Sequence, residues 1–374
     1  MNVVRARAAL VPDVWLLLSV CLLAPAGLAI TRAVSLEDAG RSVNSDVIRQ
    51  AAYLLIGLIA MVAAPRLDYR LLRTLAPQLF AVAMLALVIV LALGSQQYGA
   101  RRWIGVGDIT IQPSEFAKLA VVIAGATFAA DREPTGRTTF ASLALFAATM
   151  ALIIVEPDLG TALVLAVTWV AMATTWGVSW RFVGTLALLG LSLFPLALAV
   201  AIPAYQRERL AVFLDPGRDP LGSGFTLRQV EVALGTGGGT GRGFAGAPSA
   251  LDGVATRASD FAFAQLGEFA GAAGTLAVIA LFAVIAWRGY RVAARAPDRF
   301  GRLLATGLTT MIVLQAAMHI AVNLRLFPAT GIPLPFISTG GSALLAMFTA
   351  VGMLEGIAAQ RLPGPRDAWR PAAG

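Results

Sequence analysis

The chain has 374 residues, of which 58% are hydrophobic and only 13% charged, with a mean hydropathy of +0.76. A water-soluble domain needs roughly 25% charged residues to solvate its surface, so this composition excludes an ordinary soluble protein and makes membrane spans the unit to count. The net charge of +8 does not point to nucleic acid as a partner, because Lys118 is the sole lysine and the arginines stand in short clusters between apolar runs, as membrane-flanking cations do.

An apolar stretch of about 20 residues crosses the hydrocarbon core. Ten such stretches follow one another, near 14–31, 47–64, 73–94, 113–130, 138–155, 158–176, 182–202, 270–287, 303–324 and 340–358. They are too long and too unalternated for barrel strands, so the expected fold is all-α: one polytopic membrane domain over residues 1–374, with ten transmembrane helices. Arg5 and Arg7 before the first run resemble a signal peptide, but the pattern repeats too soon, and the run is read as a retained span. Cys21 lies inside that run without a second cysteine, which excludes a disulfide framework.

The arginines set the topology. Sixteen fall in the two termini and the connections sharing their side, against six in the short connections of the opposite side. Positive-inside bias then places both termini in the cytoplasm of a multi-pass inner-membrane protein. One large extracytoplasmic loop, about 203–269, is left between spans seven and eight, and loops this long are functional or disordered. Within it FTLRQVEVAL, 225–234, has helical periodicity with polar punctuation, and a short interfacial helix is expected there.

Four polar segments stand where ionisable groups are expensive. In GARRWIGVGDITIQPSEFAKLA, 99–120, Pro113 opens a helix and Glu115 and Lys118 share one face three residues apart. They form either a structural ion pair or, with Arg101, Arg102 and Trp103, a cationic pocket for a phosphate-bearing head group. In EPDLGTA, 156–162, Asp158 either caps span six or contacts a cation. RASDFAFAQLGEFAG, 257–271, brings Asp260 and Glu268 to the outer end of span eight, where Asp260 is an N-cap or, if desolvated, a general base. In FPATGIPLPFISTGGSALL, 327–345, three prolines forbid a regular helix, and Ser338, Gly340, Gly341 and Ser342 place small residues with free amides at the start of span ten. His319 is the only histidine, which excludes a histidine-built zinc site; a satisfied, bundle-facing role is expected for it.

GARRW at 99–103, QPSEFAKLA at 112–120, EPDLGTA at 156–162, SDFAFAQLGE at 259–268 and TGIPLPFIS with GGS at 330–342 occur in this order. Together they resemble the shape, elongation, division and sporulation (SEDS) family, whose members include RodA and FtsW. The resemblance implies a glycosyltransferase that polymerises lipid II, a lipid-linked disaccharide-peptide, into peptidoglycan strands on the outer face of the cytoplasmic membrane. It implies a class B penicillin-binding protein as crosslinking partner; RodA-like elongation is the favoured role, with FtsW-like division and lipid II flipping as the alternatives. The family's essential aspartate matches Asp260. Arg101, Arg102, Trp103, Gln112, Glu115, Lys118, Asp158, Glu268, Ser338, Gly340, Gly341 and Ser342 are the expected substrate-binding positions, with a divalent cation, Mg or Mn, expected near Glu115 or Asp158. The chain departs from the family's common pattern at Phe269, where a second Glu is usual, at His319 (Asn), at Arg325 (Gly) and at Thr339 (Tyr).

Overall fold

The computed structural model describes residues 12–37, 43–97, 100–106, 109–200, 204–244, 249–254 and 256–360. Arg5, Arg7 and the tail arginines that entered the topology count lie outside the described residues.

The apolar runs form the helices their lengths require. In chain order these are α1 (Val14–Glu37), α2 (Val43–Ala63), α3 (Arg70–Leu93), α4 (Pro113–Ala130), α5 (Gly136–Val155), α6 (Leu159–Trp176), α7 (Trp180–Val200), α8 (Ala204–Leu214), α9 (Ser223–Gly237), α10 (Ala262–Ala294), α11 (Arg299–Asn323) and α12 (Gly341–Ala359). Among the described residues nine helices are long and apolar enough to cross a membrane, and α7 contributes a further apolar stretch, Trp180–Leu193. The boundaries follow local chemistry. Pro113 begins α4, where its missing amide costs nothing. Thr135 and Thr138 form a capping box on α5, Asp158 and Asp298 cap α6 and α11, and Gly177, at φ 112°, ends α6 in the left-handed conformation.

Two features depart from a purely helical reading. Between α3 and α4 the chain forms a small antiparallel sheet in the order β1 (Ser95–Gln97), β2 (Ala100–Val106), β3 (Ile109–Ile111). The segment 203–269 is also more ordered than a loop, because it holds α8, α9 and the first turns of α10. The helix expected at 225–234 is present and longer at both ends.

α10 is two helices in one. Gly271 has φ 64°, and the hydrogen-bond ladder breaks there. The glycine-rich loop after α9 fills the break. Gly238 and Gly239 carbonyls accept the Ala272 and Ala273 amides at 2.9 and 3.0 Å, while the Arg242 and Gly243 amides donate to the Glu268 and Phe269 carbonyls at 3.0 and 2.9 Å. Only glycine permits this approach: a Cβ at Gly241 would lie 2.1 Å from the Phe269 carbonyl oxygen. These four bonds give backbone groups at the break partners that a continuous helix would otherwise supply.

α4, α11 and α12 are mostly buried, and α11 packs against α4, α6 and α10. Ion pairs gather at the end of the bundle where α11 begins. Arg288 makes a bidentate contact with Asp13, whose amide donates to Glu355 at 2.8 Å. Asp298 accepts from the Tyr69 hydroxyl at 2.6 Å and from Arg70 at 3.1 Å. The opposite end, where α11 finishes and α12 begins, carries the polar segments singled out in the sequence.

Candidate active site

At that second end lies a cavity of about 570 Å³, within the range of ligand pockets. β2 supplies Arg102 and Trp103, and Gln112 comes from the residue before α4. Arg209 comes from α8, Phe225 and Thr226 from α9, and Thr256, Ser259 and Asp260 from the turn before α10. Gly331, Thr339, Gly340 and Ser342 come from the proline-rich connector and the start of α12. Five polar segments far apart in sequence thus converge on one wall system.

Each wall is pinned from behind. Arg102 donates through Nε to the Glu156 carbonyl at 2.8 Å and through a second nitrogen to the Pro157 carbonyl, which holds β2 against the α5–α6 connection. The Gln112 amide donates to Ser342 Oγ at 2.9 Å, joining the starts of α4 and α12. Ser338 Oγ donates to the Ser259 carbonyl at 2.6 Å and accepts the Leu334 amide at 2.8 Å, while the Thr339 amide donates to the Ala258 carbonyl at 3.1 Å. From α11, Gln315 Nε2 donates to the Pro333 carbonyl at 3.0 Å and His319 Nδ1 to the Ile332 carbonyl at 2.8 Å. A carbonyl only accepts, so the Nδ1 proton is fixed. His319 Nε2 is left buried without a hydrogen-bond partner among the described residues.

Asp260 sits in the cavity wall, part exposed. It is not an N-cap, because α10 has Phe261 there and no side-chain cap bond. Desolvation by the enclosing walls pushes its carboxyl above the ordinary carboxylate range, opposed by hydrogen bonding to Ser259, the charge of Arg209, hydrogen bonding to Thr256 and the charge of Arg102. Nearby, Glu156 is buried with neither carboxylate oxygen partnered. Its pKa is pushed up to about 8, first by desolvation and then by the charge of Asp158, with Arg102 acting in the other direction.

Of the expected catalytic and substrate-binding positions, Arg102, Trp103, Gln112, Asp260, Gly340 and Ser342 line the cavity and the others do not. Arg101 is exposed on β2, opposite Gln96. Lys118 is fully buried, 2.9 Å from Glu115 and 2.6 Å from Gln315 Oε1. Glu268 has no exposed surface; it accepts from Ser249 at 2.6 Å and the Ala250 amide at 2.7 Å and pairs with Arg242 at 2.6 Å. Gly341 lies where a Cβ would meet the Tyr53 ring at 2.4 Å. Both Asp158 carboxylate oxygens are used by Thr161. Glu115 is likewise paired to Lys118, so both carboxylates expected to hold a divalent cation already have protein partners, and among the described residues no group of three His, Cys, Asp or Glu side chains is placed to hold one.

The FtsW/RodA/SpoVE model, described as a cell cycle protein family, matches residues 11–362. The chain belongs to this family. It is 34% identical over 317 residues to the peptidoglycan glycosyltransferase MrdB of Escherichia coli K12, covering 84% of this chain and 85% of that one. It is 36% identical over 352 residues to the stage V sporulation protein E of Bacillus subtilis 168, covering 92% and 96%. Among solved structures, a chain of a peptidoglycan synthase complex superposes with a TM-score of 0.78 at 27% identity, covering 96% of this chain and 99% of that one. The rod shape determining protein RodA of Thermus thermophilus gives 0.69 at 26%, covering 94% and 98%. The departures from the family pattern acquire structural meaning here. Arg325 has φ 54°, a backbone region that favours glycine, and its guanidinium pairs with Glu231 of α9. Phe269 is buried, with its ring 5.4 Å from that of Phe244.

Proposed function

We infer that this protein is a peptidoglycan glycosyltransferase that polymerises lipid II into glycan strands during cell elongation, working beside a class B penicillin-binding protein. The carrying observation is the cavity that gathers Asp260, Arg102 and Arg209 in a multi-pass bundle of this family. The cytoplasmic membrane, with the cavity on its outer face and both termini inside, is the proposed location, supported by the arginine count.

In the proposed reaction the donor strand's anomeric carbon carries the lipid diphosphate, and the acceptor unit supplies a sugar hydroxyl. Asp260 takes the hydroxyl proton as the oxygen bonds to the anomeric carbon. The carbon–oxygen bond to the diphosphate breaks, and its electron pair leaves with the lipid diphosphate. Positioned proton transfer of this kind contributes about 10² to 10⁴ in rate. Arg102 and Arg209 face the charge that grows on the leaving group, where fixed cations in a walled site act strongly. Any divalent-cation requirement enters with the substrate's diphosphate.

The test is purified protein with lipid II, wild type against Asp260→Asn, with and without chelator. A folded Asp260→Asn variant should lose polymerisation by about 10² or more. Polymerisation at the wild-type rate would overturn the assignment of the base.

A further inference from the structure

A second, smaller cavity of about 150 Å³ adjoins the first. It shares Arg209, Thr226, Thr256, Asp260 and Gly331 with the larger one, so Asp260 borders both. The two chambers differ in charge. The larger adds Arg102 and Gln112, the residue from which α4 starts, with Trp103, Phe225, Ser259 and the small residues opening α12. The smaller adds Ser223 with the apolar Val212, Phe213, Leu227, Phe261 and Val322. It has no cation of its own beyond the shared Arg209.

Resting on the glycosyltransferase reading, we propose that the smaller cavity is the acceptor subsite and takes the uncharged terminal sugar of the incoming unit, while the larger holds the donor's anomeric end and its diphosphate. Three considerations carry this. First, the two reacting ends differ in charge: the donor carbon is bonded directly to a diphosphate, whereas the acceptor hydroxyl belongs to a neutral sugar at the far end from its own lipid. A chamber with Arg102 suits the former. A mostly apolar chamber with Ser223, Thr226 and Thr256 and without Arg102 suits the latter, which brings no charge to be met. Second, 150 Å³ lies below the roughly 300 to 1,000 Å³ of whole-ligand pockets, so the chamber fits one terminal ring and not a complete substrate. Third, a base must reach the proton it removes and stand beside the carbon under attack. A residue that borders both chambers meets both conditions with one substrate end in each.

The experiment uses the full-length protein with two synthetic substrates: a lipid-linked disaccharide-peptide whose terminal hydroxyl is capped, so that it acts only as donor, and lipid II as acceptor. The KM for each is measured by varying one at saturating levels of the other. Ser223→Phe on α9 and Ala329→Leu on the connector both crowd residues that line the smaller cavity alone. Each should raise the acceptor KM about tenfold or more while the donor KM stays within about twofold. Ala343→Leu, in the larger cavity alone, should do the reverse. Equal effects on both substrates, or none, overturn the subsite. Two substitutions on separate elements guard against misfolding of either, and a wild type that joins neither pair sinks the glycosyltransferase reading itself, a different result.

Discussion

Asn323 ties the residue proposed as base to the helix that follows it. Its Nδ2 donates to the Asp260 carbonyl at 3.1 Å, and its Oδ1 accepts the Ala264 amide at 2.9 Å. Both bonds come from the last turn of α11, which is held on its other faces by α4 and α6. Asn323→Leu should therefore lower kcat by about 10² with little change in KM, because a displacement near 1 Å in a reacting group has that effect. Steady-state polymerisation kinetics on folded protein check this; a pure KM effect would contradict the positioning role.

Along the same face of α11, His319 holds the proline-rich connector through Nδ1. An Asn amide nitrogen reaches the same place as Nδ1, whereas the Gln amide lies near the position of Nε2. His319→Asn should keep the wild-type melting temperature, and His319→Leu should lose about 1 to 3 kcal/mol by stranding the Ile332 carbonyl. His319→Gln should behave like Leu. Thermal melts in detergent rank the three.

Asp260 must be ionised to accept a proton, and its carboxyl lies above the ordinary range. The acid limb of the kcat/KM profile should accordingly fall at a pH higher than for an ordinary carboxylate, with activity lost as pH drops through it. Arg209→Gln removes the stronger of the two charges holding that value down, and should move the limb further up. A pH–rate profile of both proteins reads the shift.

Glu156 behaves in the opposite sense for stability. Its native pKa, about 8, exceeds the ordinary 4.5, so between these values the unfolded chain releases a proton that the folded chain keeps. Stability contributed by the neutral form is complete below about pH 4.5 and declines as pH rises toward 8. Glu156→Gln should leave the fold intact and flatten that decline, measured by melting temperature against pH.

The break in α10 is open to direct test. At Gly271 a side chain is strained by φ 64°, and a Cβ would lie 2.4 Å from the Gly241 amide nitrogen. Gly271→Ala should destabilise the protein by about 1 to 3 kcal/mol, seen as a lower melting temperature.

Spans were legible because apolar run length is a direct consequence of bilayer thickness, and nearly every expected run appears as a helix shifted by a few residues. The sheet at Ser95–Ile111 was not, since β1 (SQQ) and β3 (ITI) have three residues each, too few for an alternating pattern to register, and ARRWIGV of β2 does not alternate. α8, AYQRERLAVFL, carries charge on several sides and little apolar periodicity, so Arg209 stood as one among many charged residues of its segment. The gap at Gly271 lies inside an apolar run that reads as continuous helix, because its cause is a loop thirty residues upstream in the sequence. Asp260 was legible as a choice between cap and base, and the N-cap position of Phe261 removes the first. Glu156 was overshadowed by Asp158, since nothing in the order EPD says which carboxylate is left without partners.

The enclosed Lys118 joins distant parts of the chain. Its Nζ bonds Glu115 within α4 and Gln315 of α11, 197 residues later. The polar contacts of the fourth helix are therefore complete only when the eleventh is packed beside it, and a change that loosens α11 leaves a buried amine short of a partner on a helix it does not follow in sequence.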